Sequence, residues 1–88
     1  SKFPMLMINV DISGASGVDA AALCHSDAIK SAVSEAEKAL ADSGRVLLRP
    51  SGTEPLIRVM IEGQDGEQVD HLCRKVANCV ERQVQQLS

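Results

Sequence analysis
Arg49 and Arg58 stand on either side of a short polar stretch, Pro50-Ser51-Gly52-Thr53-Glu54-Pro55. These residue types suit the capture of an anion. Each guanidinium is a planar fork of donors matched to a phosphate dianion. Ser51 and Thr53 add hydroxyls, and Gly52 allows a turn that aims successive N–H groups at one spot. The two prolines fix φ at both ends, so little freedom is left to lose when a ligand arrives. The plain alternative is a surface turn whose arginines pair with acids such as Glu54 or Glu62. The concentration of donors in so short a stretch favours the receptor. Glu54 sits awkwardly in it, because a carboxylate aimed at a bound phosphate would repel it. It must face outward, or toward a hydroxyl or ammonium group of the ligand.

Other chemistry is harder to find. The loop lacks GxxxxGK[ST], and the residues after it read as a strand rather than a helix, so it is not a nucleotide P-loop. Gly14-Ala15-Ser16-Gly17 has the bare GxxG spacing of an RNA-binding KH loop, without basic residues between the glycines. His25 and His71 could be imagined as metal ligands beside Cys24 or Cys73. On a helix, however, residues 71 and 73 lie about 200° apart and cannot easily share one ion. Cys73 and Cys79 face apart as well, so we read Cys73 as core filler and the histidines as solvated. No Ser–His–Asp or Cys–His arrangement is legible, nor a pair of isolated carboxylates. We therefore expect no catalytic residue and no metal ligand in the chain.

The elements that must position the loop are short. The chain has 88 residues, enough for one small domain. Its net charge of −3 and single aromatic, Phe3, argue against nucleic acid or membrane surfaces as partners. Three cysteines and no signal-peptide pattern point to a reducing, cytoplasmic setting. The chain starts on Ser1, close to strand signal, and we expect a domain cut from a longer protein. Residues 3–12 alternate, with Leu6, Ile8, Val10 and Ile12 on one face, as in a strand. Residues 13–17 form a flexible loop, and 18–23 read equally as loop or a turn of helix. Ser26 caps a helix carrying Ile29, Val33, Ala36 and Leu40 on one side, with Gly44 at its C′ end. Residues 45–49 and 56–62 make two strands joined by the polar loop. A long helix follows, opened by an Asp65/Gln68 capping box and striped with Val69, Leu72, Cys73, Val76, Val80, Val84 and Leu87. The order β-α-β-β-α predicts an α+β two-layer sandwich, a small, mainly antiparallel sheet with two helices on one face.

From Arg45 through the loop to Gly63, RVLLRPSGTEPLIRVMIEG, the sequence resembles the C-terminal domain of the bacterial phosphoglucosamine mutases, within the α-D-phosphohexomutases. The first strand and the alanine-rich helix before the loop fit the same pattern, while residues 11–28 match only loosely. The resemblance implies a TATA-box-binding-protein-like fold for the fourth of four domains. Carried over by position, Arg49, Ser51, Gly52, Thr53 and Arg58 would contact the substrate phosphate that is not being transferred. The family interconverts glucosamine 6-phosphate and glucosamine 1-phosphate, feeding UDP-N-acetylglucosamine synthesis. A phosphoserine and a 1,6-bisphosphate intermediate carry the phosphoryl group. Its partners here would be the hexosamine phosphate and the other three domains, which hold the phosphoserine and the Mg²⁺ site. The fragment alone would then be inactive. The alternatives are the same domain of a phosphohexomutase for other sugars, or a stand-alone phospholigand or RNA-binding module.

Overall fold
The computed structural model describes residues 3–14, 17 and 19–87. Three strands, β1 (Met5–Asp11), β2 (Arg45–Pro50) and β3 (Leu56–Glu62), form one antiparallel sheet in the order β1-β3-β2. Three helices follow the chain as α1 (Ala20–Cys24), α2 (Asp27–Leu40) and α3 (Gly66–Leu87). The ambiguous residues after the first loop are thus partly helix. Asp19 starts α1 by accepting the Ala21 N–H at 3.1 Å, and Leu23 is buried from it. Of the Gly14-Ala15-Ser16-Gly17 loop, Ala15 and Ser16 lie outside the described residues, as does Val18.

Alternation divides the sheet. Val10, Val46, Ile57, Val59 and Ile61 turn to one face and are buried. Against them pack Ile29, Ala36 and Leu40 of α2, and Val69, Leu72, Cys73, Val76, Val80 and Val84 of α3. This is the two-layer sandwich expected, with the helices on one face and the other face bare. Leu87, assigned above to the buried stripe, is 51% exposed. The helix simply outruns the sheet: its 22 residues span about 33 Å against about 23 Å for the 7-residue strands.

Two of the expected caps work differently. Ser26 does start α2, accepting the Ile29 N–H at 3.3 Å. The helix ends at Leu40, before Gly44, and the left-handed residue is Ala41 (φ 51°), followed by a 3-10 turn over Ala41–Ser43. Gly44 is extended. It must be glycine for a different reason: a Cβ there would overlap the Glu62 carbonyl oxygen and approach the Gly63 Cα to 2.9 Å. Asp65 caps α3 through the N–H groups of Glu67 (3.0 Å) and Gln68 (3.5 Å). Gln68 does not return the bond. Its amide instead donates to the Ala39 carbonyl at 3.0 Å, tying α3 to the end of α2. No described helix is long and apolar enough to cross a membrane.

Candidate functional site
The loop joins two neighbouring strands, so the register of β2 on β3 determines which side chains meet beside it. Arg49 pairs directly with Arg58. Both are exposed and both lie on the bare face, opposite the helices. Directly paired residues on one sheet face have Cβ atoms about 4.5–5.5 Å apart, close enough for two guanidinium groups to reach one anion. The alternative, pairing with acids, is not taken. Glu62 pairs with Arg45, at 3.4 Å and two registers away. Among the described residues no carboxylate stands within ion-pair distance of Arg49 or Arg58.

The loop itself is held closed from inside. Ser51 N–H donates to the Leu56 carbonyl (3.0 Å) and Leu56 N–H to the Glu54 carbonyl (2.8 Å). Ile12 N–H donates to the Pro55 carbonyl at 2.8 Å, which ties the loop to the end of β1. The Ser51 Oγ accepts from Thr53 N–H (3.4 Å) and Glu54 N–H (3.2 Å). These two N–H groups therefore converge on one spot, as the sequence suggested, but the Ser51 hydroxyl oxygen occupies it. The hydroxyl keeps its own O–H as a donor. Gly52 does not adopt a positive φ; among the described glycines only Gly17 does. A Cβ at Gly52 would meet nothing within 4 Å, so neither φ nor packing within the described residues requires glycine there.

A shallow groove of about 270 Å³ contains both arginines, on a floor of Met7, Leu47 and Met60. Beside the loop, a second depression is lined by Asn9, Asp11, Ser13, Glu54, Pro55 and Leu56. Glu54 lines this hollow and not the arginine groove. Asp11 is drawn toward its own loop: it accepts the Ser13 N–H at 2.8 Å, and Ser13, through its backbone first and its hydroxyl second, holds the carboxyl below its ordinary range. A wider hollow of about 670 Å³ between α1, α2 and β2 has His25, Lys30 and Glu37 on its rim, but no paired cations.

No cysteine or histidine lines the arginine groove. Cys73 is fully buried, its Sγ–H directed to the Leu6 (3.5 Å) and Val59 (3.7 Å) carbonyls. Burial pushes the Cys24, Cys73 and Cys79 thiols up, which suppresses the reactive thiolate. Among the described residues, no three His, Cys, Asp or Glu side chains come together as a metal site.

Comparison with known proteins supplies a context. The family profile for the phosphoglucomutase/phosphomannomutase C-terminal domain matches residues 7–79. A phosphoglucosamine mutase of Thioalkalivibrio sulfidiphilus is 51% identical over 80 residues, 91% of this chain and 17% of that protein. Another, from Aromatoleum aromaticum, is 51% identical over 78 residues, 89% of this chain and 16% of its own length. The crystal structure of Aspergillus fumigatus N-acetylphosphoglucosamine mutase, in complex with GlcNAc-6P and magnesium, superposes with a TM-score of 0.70 at 25% identity. The match covers 91% of this chain and 17% of that one. The chain thus spans about a sixth of the relatives it resembles.

Proposed function
Because the chain belongs to the phosphoglucomutase/phosphomannomutase C-terminal domain family, we propose that it is the phosphate-holding domain of a phosphoglucosamine mutase. The observation that carries this is the Arg49–Arg58 pair: two like charges placed face to face, with no acid among the described residues to neutralise them. Such a pair opposes folding unless an anion joins it. A phosphate held there takes donors from both forks, with the Ser51 and Thr53 hydroxyls and the open backbone at Gly52 closing over it from the loop.

On this reading, the whole enzyme interconverts glucosamine 6-phosphate and glucosamine 1-phosphate through a phosphoserine and a 1,6-bisphosphate. The substrate must present either end to the phosphoserine while its other phosphate is held. A rigid receptor for the non-reacting phosphate lets remote binding energy position the reacting end. The hairpin and the Ile12–Pro55 bond give that rigidity. Residues 49–58 bind and orient; the phosphoserine and its Mg²⁺ belong to the remainder of the enzyme. Among the described residues no three His, Cys, Asp or Glu side chains come together to hold that ion.

Titration of the 88-residue chain with glucosamine 6-phosphate, followed by amide shifts, tests the reading. Perturbations centred on residues 49–58 support it, and perturbations centred elsewhere overturn it. Affinity will be modest, since each charge-assisted contact is worth about 1.5–3 kcal/mol and only one wall of the cleft is present.

A further inference from the structure
The arginine pair is part of a longer row. Asn9 of β1 pairs with Arg58, which pairs with Arg49, so one line of three side chains crosses the sheet on its bare face. Arg58 is central, with Arg49 on one flank and Asn9 on the other. Asn9 is exposed, and among the described residues its carboxamide enters no hydrogen bond. Its neighbours on the same face of β1 are Met7, which floors the arginine groove, and Asp11, whose carboxylate is engaged by Ser13. Asn9 itself borders the adjoining hollow, which it shares with Asp11, Glu54 and Pro55, and the Ile12–Pro55 bond ties that hollow's loop to the end of the strand.

A residue at this position decides whether the flank of Arg58 is a donor or a counter-charge. An aspartate would face the guanidinium across the strands and compete with any anion. Asparagine has nearly the same shape, carries two N–H donors and leaves the positive field intact. We propose that Asn9 donates its carboxamide N–H to the anion held by Arg49 and Arg58, closing the flank that Arg49 leaves open. The proposal rests on the anion reading given above. It adds a ligand contact from the first strand, far in sequence from the loop.

Inorganic phosphate titrated into the 88-residue chain, with thermal unfolding recorded with and without phosphate, is the test. Asn9→Ala should weaken phosphate about 5-fold or more, and Asn9→Gln, which keeps the donor, should lose less. Asn9→Asp should weaken it about 10-fold or more while leaving the phosphate-free melting temperature unchanged or raised, because the new carboxylate faces Arg58. That opposition of signs is something a merely structural asparagine would not produce. An Asn9→Asp chain that melts lower without phosphate overturns the proposal. So does Asn9→Ala with wild-type affinity while Arg49→Ala has lost binding. If Arg49→Ala also binds phosphate normally, the anion reading itself is what fails.

Discussion

The two faces of this sheet share three strands and one register, yet they obey opposite rules. On the covered face Ile57, Val59 and Ile61 of the central strand are fully buried against α2 and α3. On the bare face the alternate residues Arg58, Met60 and Glu62 meet Arg49, Leu47 and Arg45. Each covered row is apolar throughout and is optimised for folding. The bare rows run from an ion pair, Arg45–Glu62, through an apolar row of Met7, Met60 and Leu47, to the unneutralised row of Asn9, Arg58 and Arg49. Stability is thus built on one side, and the proposed anion site lies on the other, where a destabilising contact can persist because the core beneath it is complete.

One residue from each face of the paired strands β3 and β2 sharpens that contrast most directly. Ile57→Ala should cost about 2–5 kcal/mol of unfolding free energy in urea titrations, by emptying a fully buried site, while the remaining folded fraction still binds phosphate. Arg49→Ala should do the reverse, losing about 1.5–3 kcal/mol of phosphate affinity by calorimetry without loss of stability. A clear fall in its urea midpoint would show that the arginine is structural and would erase the distinction between faces.

The smaller effects probe how strictly the division holds. Burial raises the Cys73 thiol, so its contribution to stability is complete below the ordinary thiol value of 9.0 and is lost as pH rises through the raised folded value. The urea midpoint should therefore fall as pH rises above the ordinary thiol value of 9.0, and fall less in Cys73→Ala. Equal slopes in the two chains would remove the thiol from the covered face's accounts. Ala41→Gly should stabilise by about 0.5–1 kcal/mol, since Ala41 holds a φ of 51° that glycine adopts freely. Smallest of all, Arg58→Gln should raise the phosphate-free stability by a few tenths of a kcal/mol, about the size of a relieved like-charge pair. A decrease there would mean that the arginine row costs nothing.

Much of this was legible beforehand, for local reasons. Alternation in the first strand put Val10 and Ile12 inside, and helical spacing put Ile29, Ala36 and Leu40 together. Strand–loop–strand order placed Arg49 and Arg58 near each other, because a hairpin this short leaves few registers. The misreadings came from contacts between distant segments. Gly44 reads as a helix stop, but its constraint is the backbone of Glu62 and Gly63. Gln68 reads as half of a capping box, but its amide is taken by Ala39. Gly52 reads as a special conformation, but its φ is not positive and a Cβ would fit there without contact.

By itself, then, the sequence determined the element types, the buried face of each and the donor chemistry of the loop. These follow from periodicity and side-chain type, which act over a few residues. Only the tertiary structure decided which residues share a row. A period of two assigns a residue to a face but not to a register, and the pairing of Asn9 with Arg58 joins strands separated by two helices and another strand. That register depends on how the helices seat against the covered face. The packing of one side of the sheet therefore sets the arrangement of charges on the other.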